Sequence, residues 1–265
     1  MQTIDPPPST TTVAPEELRG PEFAAELRTV SELWFACGYA PGIAAYTTFF
    51  LLGAFVELHD QMRPARFADG RAMAKSFYAT DLFIRAVTDS GCEATGGISS
   101  PQVQSMLRAI MRRHAAASIP AWSMTWFGWT LFEAVEARCA PLSDEQRRLH
   151  LGYMSKAWRL LGIPFSNDRA AMTAFARAVE AAHVGVASMS SRHLRAILRI
   201  GEMIGVPADP DAIERLLPLS VRAPFRELAA AARPGWFSAR WHRLLGRLLL
   251  PRAVGVPRLA VPLPG

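Results

Sequence analysis

The residues with the widest chemical range in this sequence are its six histidines, and their settings differ. His114 recurs with Val103, Leu107 and Ile110 at spacings of four, three and four, which places it on one apolar row of a helix. An imidazole on such a row has two uses. It can be a core histidine whose second nitrogen finds an acceptor, or it can ligate a metal from a rigid helix. His59, beside Glu57 and Asp60, ends an apolar block, where it could line a pocket or meet the last helix carbonyls. His183 follows Glu180 at the Glu-x-x-His spacing of carboxylate-bridged di-iron bundles. Those bundles use the motif twice with two further glutamates; here it occurs once, so a di-iron centre is not expected. His150, His193 and His242 sit among arginines and read as surface-facing.

Trp122, Trp126, Phe127, Trp129 and Phe132 crowd one short stretch. They either pack a core or form the wall of a large apolar pocket, which a haem or a lipid-like substrate would require. Other familiar chemistry is missing: there is no G-x-S-x-G elbow, Walker loop, HExxH helix or dinucleotide fingerprint. Chemistry in this chain must then come from a cofactor or a scattered constellation.

The elements that must position these residues read as helix after helix, with no alternating run long enough for a strand. The first helix runs from Pro21 to about Ala36, with proline in its first turn and Gly38 as a stop. The block Gly42–Leu58 is nearly all apolar; it is short for a membrane span, carries Glu57, and reads as a buried central helix. A third helix covers Gly70 to Ser90, with Met73, Phe77, Thr80, Ile84 and Val87 on one face. Ser100-Pro101 open the helix that carries His114, to about Ser118. After Pro120 comes the aromatic helix Trp122–Cys139. Ser143 with Gln146 forms a capping-box pattern for a helix ending at Leu161-Gly162. Further helices cover Asn167–Ala187 and Ser191–Ile204, and shorter ones reach Leu250. The expectation is an all-α, single-domain bundle of about ten helices. A disordered lead (1–15) precedes the domain (16–250), and a proline-rich tail (251–265) follows it.

The 265 residues are 50% hydrophobic and 20% charged, a globular balance. The net charge of +6 comes from arginines spread over several helix faces, and no DNA or RNA reader motif accompanies them, so no nucleic-acid partner is expected. Cys37, Cys92 and Cys139 are odd in number and widely spaced, with no CxxC. They read as unpaired, small hydrophobes in a reducing compartment. The N-terminus has no basic, then apolar, secretory pattern. A cytoplasmic location follows. The basic, apolar segment Ala239–Leu250 leaves a weak membrane-surface contact as the alternative.

The stretch from about Arg71 to His183 resembles the catalytic domain of the rubber oxygenase (latex clearing protein) and mpaB-type oxygenase family. Three patterns carry the resemblance. Thr80-Asp81-Leu82-Phe83-Ile84-Arg85-Ala86-Val87 is similar to that family's Thr-x-x-Phe-x-x-x-Val helix. Met111-Arg112-Arg113-His114-Ala115 is similar to its Arg-x-x-His-Ala segment, with Met111 where the arginine stands. The third runs from Trp126 to Phe132, through Pro141-Leu142-Ser143-Asp144-Glu145, to Trp158-Arg159-Leu160-Leu161-Gly162-Ile163-Pro164.

The resemblance implies an all-α oxygenase with b-type haem, in which His114 is the iron ligand and Thr80 offers a hydroxyl on the opposite, oxygen-binding side. Its partners would be an apolar, isoprenoid- or lipid-like small molecule and dioxygen or peroxide. Rubber-cleaving relatives carry an arginine and a lysine four and one positions before that threonine. This chain has Ser76 and Ala79 there, so polyisoprene cleavage is not carried over. The physical needs of a haem agree with the resemblance: an axial imidazole, apolar walls and cations for the propionates. His114 answers the first, Trp126 and Phe83 the second, and Arg112 and Arg113, or Arg63 and Arg66 of the loop 60–69, the third. A haem- or lipid-binding helical protein without catalysis is the alternative, and a membrane-surface adaptor a third reading.

Overall fold

A computed structural model defines residues 4–5, 12–37, 86–88, 96–116, 120–183, 194–195, 198 and 210–232; at 35–37, 113–116, 183 and 231–232 it defines the backbone alone. Among these residues every regular element is helical, as the periodicity predicts. In chain order they are α1 (Gly20–Cys37), α2 (Pro101–Ala116), α3 (Ala121–Cys139), α4 (Asp144–Leu160), α5 (Arg169–His183), α6 (Pro210–Leu216) and α7 (Leu219–Ala232). Short 3-10 turns at Pro15–Leu18 and Gly97–Ser99 lead into α1 and α2. The helix expected over 42–58, most of 70–90 and most of 191–204 lie outside the described residues, as do Arg63, Arg66, Ser76, Ala79 and the tail 251–265. Within the expected N-terminal lead, Ile4 and Val13 pack half-buried against the core.

Local chemistry sets the helix ends. Ser143 Oγ accepts from the Gln146 amide at 3.1 Å, and the Gln146 side chain accepts from the Ser143 amide at 2.9 Å, the reciprocal cap read from sequence. At the other end of α4, the Ile163 amide reaches Trp158 O at 3.0 Å and the Gly162 amide reaches Arg159 O at 2.9 Å. That Schellman arrangement needs a left-handed residue, and Gly162 supplies it with φ of 69°.

The aromatic helix α3 is the hub. It packs against α1, α4, α5 and α6. Apolar residues surround it almost completely, as a helix buried on all sides requires. Trp126, Trp129 and Phe132 are fully buried, together with Tyr153 of α4 and Phe165 beyond it. Each such ring removes roughly 150–250 Å² from water, so α3 with Tyr153 of α4 and Phe165 forms a large aromatic part of the core.

Two polar fixtures lock this core. Lys156 of α4 donates to both oxygens of Glu26 of α1, at 2.7 and 2.5 Å. Gly152 makes room for them, since a Cβ there would stand 2.5 Å from Glu26 Oε1. Burial pushes the Glu26 carboxyl up, against the pull of Lys156. The buried Tyr153 hydroxyl donates to Val87 O and accepts from the Ile98 amide at 3.1 Å. It thereby ties residues on either side of 89–95 to α4. Gly97, at φ of 52°, sits where any Cβ would collide with that hydroxyl.

Cys139 corrects the sequence reading of the cysteines. It is disulfide-bonded, and its partner falls outside the described side chains. Wide spacing concealed the pairing, because a disulfide asks only that two Cα atoms come within a few ångströms in the fold. Cys139 Sγ also lies 3.3 Å from Leu33 O; a disulfide sulfur carries no proton, so this is a packing contact between α3 and α1.

Candidate functional site

The helix expected to carry an iron ligand is present, and its apolar row is buried. Val103 and Leu107 of α2 are 5% and 2% exposed, and Ile110 packs half-buried on the core they share with Trp122 and Trp126. Position 114 continues that row one turn beyond Ile110 on the same helix. The side chains of His114 and Arg113 lie outside the described set, and so do Thr80 and Phe83 altogether. Arg112 is exposed on α2, and Trp126 is wholly buried on α3. Among the described residues its indole N–H finds no hydrogen-bond acceptor, nor does that of Trp158. Of the other histidines, His59, His193 and His242 fall outside the described residues. His183 ends α5, and Glu180 beside it accepts a hydrogen bond from Ser220 Oγ at 2.7 Å.

The structure reveals a second constellation that the sequence reading missed. His150 was expected to face the surface; it is 0% exposed, deep between α1, α3 and α4. Its Nε2 accepts the indole N–H of Trp34 at 3.1 Å. An indole nitrogen can only donate, so the ring is neutral with its proton on Nδ1. That Nδ1–H faces Glu136 Oε1 of α3 at 3.6 Å, longer than a hydrogen bond. The other oxygen of Glu136 accepts from Arg169 of α5 at 2.6 Å. Phe132 stacks on the imidazole with centroids 4.5 Å apart, and the Arg169 guanidinium lies over Phe132 and Trp129. A polar chain thus runs Trp34–His150–Glu136–Arg169 from α1 through the core to a half-exposed cation.

Its electrostatics follow from burial and neighbours. Burial pushes the His150 pKa down, partly offset by Glu136, and Arg169 adds to the depression. Burial also pushes the Glu136 carboxyl up, but His150 and Arg169 outweigh it and hold it below the ordinary range. One turn earlier on α3, Glu133 goes the other way. Burial and then the charge of Glu180 raise it to about 7, against the pull of Arg169. The site therefore holds a neutral base from α4 and, one turn apart on α3, a paired carboxylate and a carboxyl poised near neutrality.

A signal for His150 was available. Tyr153, Met154, Ala157 and Leu161 follow it at i+3, i+4, i+7 and i+11, the same argument that singled out His114. All four are buried. The adjoining arginines mask that signal: Arg148 points to the far side of the helix, and Arg147, one turn nearer its start, is itself exposed. Among the described residues no group of three or more acidic, histidine or cysteine side chains is arranged to hold a bare metal ion. No helix among them is long and apolar enough to cross a membrane.

Comparison of the chain with family models, with curated proteins and with solved structures gives no match.

Proposed function

We propose that the protein binds b-type haem through His114 and acts as an oxygenase or related oxidoreductase on an apolar, isoprenoid- or lipid-like substrate. The reading rests on the sequence motifs, and one structural observation supports it. The row leading to position 114 is buried at Val103 and Leu107, as a row that presents an axial ligand to the interior must be. The described residues fit the group in two further respects. Trp126 shares that core and holds an indole N–H without an acceptor among the described residues. Arg112 is exposed, where the propionate edge of a haem meets water.

In this proposal His114 would hold the iron, Trp126 and Phe83 would wall the macrocycle, and Arg112 and Arg113 would neutralise its propionates. Haem iron, when bound, supplies redox chemistry on dioxygen or peroxide. The chain's own contribution would be to exclude water with the aromatic residues of α3 and to offer the Thr80 hydroxyl to the reacting site. A cytoplasmic site belongs to the same proposal, although the disulfide at Cys139 removes its support from unpaired cysteines.

The test is the visible absorption spectrum of the purified protein after expression with haem precursor. A Soret band is expected, lost in His114→Ala while far-UV circular dichroism keeps its helical signal. A colourless, helical wild-type protein would overturn the reading. Ser76 and Ala79, where rubber-cleaving relatives carry arginine and lysine, favour one alternative: a haem or lipid carrier without catalysis. Turnover of an isoprenoid or fatty substrate separates enzyme from carrier, and liposome flotation tests a membrane contact through 239–250.

A further inference from the structure

The Trp34–His150 hydrogen bond joins an oxidisable indole to a neutral, buried base. An indole that loses one electron becomes a strong acid at Nε1, and it persists as a neutral radical only if a base takes that proton. Trp34 has such a base. His150 is neutral and fully buried, and its Nε2 already accepts the Trp34 proton at 3.1 Å. Behind it stands the Glu136 carboxylate at 3.6 Å from Nδ1, placed to stabilise the imidazolium that proton transfer creates. Trp34 itself is half-buried, so part of the ring can meet a donor from solution.

A second observation gives the pair a direction. Aromatic rings connect it to the far side of the core. Trp34 meets His150 edge-on at 6.4 Å, His150 stacks on Phe132 at 4.5 Å, and Phe132 on Trp129 at 4.9 Å. Phe165 then bridges Trp129 and Trp158 at 6.3 Å to each. Four residues after Trp158, Gly162 lies against the Met111 side chain of α2, three residues before position 114.

We propose that Trp34 is a redox-active residue: it gives one electron to an oxidant in the protein interior along this aromatic path while its Nε1 proton passes to His150 Nε2. The inference rests on the haem reading for its physiological oxidant, a one-electron acceptor near α2. The balance is simple. The oxidant gains one electron, Trp34 becomes a neutral indolyl radical, and His150 becomes an imidazolium facing Glu136. A one-electron donor from solution then reduces Trp34, and the proton returns from His150. Such a path would draw oxidising equivalents away from the core when no substrate consumes them.

The experiment supplies the oxidant from outside, so it does not depend on haem. A photogenerated ruthenium(III) tris-bipyridyl complex oxidises the full-length protein, and transient absorption with electron paramagnetic resonance identifies the radical. The wild type is expected to give a neutral tryptophan radical, lost in Trp34→Phe although the other six tryptophans remain. In His150→Phe, which keeps a ring against Phe132, the signal should shift to the protonated cation radical. The same neutral radical in Trp34→Phe, or no shift in His150→Phe, would overturn the proposal. If a variant does not fold, peptide mapping of the oxidised wild type decides: oxidation first at Trp34 supports the proposal, and oxidation elsewhere with Trp34 intact refutes it. A positive result with a colourless protein would sink the haem reading while leaving Trp34 a redox residue.

Discussion

A carboxyl raised to about 7 at Glu133 keeps its proton where an unfolded chain, at the usual 4.5, has lost it. Between those values the folded state binds the extra proton, so this group's stabilising contribution is full below 4.5 and lost as pH rises through 7. Glu133→Gln is therefore expected to be more stable than wild type at pH 8, by at most about 3.5 kcal/mol given roughly 1.4 kcal/mol per pH unit. The advantage should vanish by pH 4.5 in urea unfolding. His150 acts in the opposite sense. Its pKa is depressed below the usual 6.5, so the unfolded chain takes up a proton the folded core refuses, and stability falls as pH drops below 6.5. His150→Gln should abolish that acid slope in the same urea series, while disturbing the Trp34 and Glu136 contacts costs about 1–3 kcal/mol at neutral pH. At the residue scale, the sequence pointed to His114 by its row and missed His150 on an equally good one. Neighbouring arginines mask the helical period at His150.

Helix ends were legible because they depend on a few adjacent residues. Ser143 with Gln146, Pro101 after Ser100, and Gly162 after Leu161 each act within one turn, and each stands where its type demands. The ties between helices were not legible. Glu26 and Lys156 lie 130 residues apart, and nothing near either announces the other. Lys156→Met would leave the Glu26 carboxylate buried beside α4 without its cation. The expected loss is about 3–5 kcal/mol in equilibrium unfolding, much of it recovered in the double variant with Glu26→Gln. Gly152 and Gly97 belong to the same class: their lack of a Cβ matters only because Glu26 and the Tyr153 hydroxyl arrive from other elements.

For the whole molecule, the pairing of Cys139 makes a chemical expectation. One disulfide engages two of the three cysteines. Thiol titration of the denatured, unreduced protein should find one reactive thiol, and titration after reduction all three. Three thiols before reduction would show that the bond does not form in the purified protein.

The sequence by itself determined the helical class, the boundaries of α2, α3 and α4, and the apolar row reaching position 114. These follow from hydrophobic period and from caps, whose physics acts over a few residues. Only the tertiary structure decided that α3 is the hub, that His150 is buried between Trp34 and Glu136, and that Cys139 is paired. Those outcomes depend on which distant side chains meet once helices pack, and a neutral imidazole in a core is stable only when its partners arrive with it.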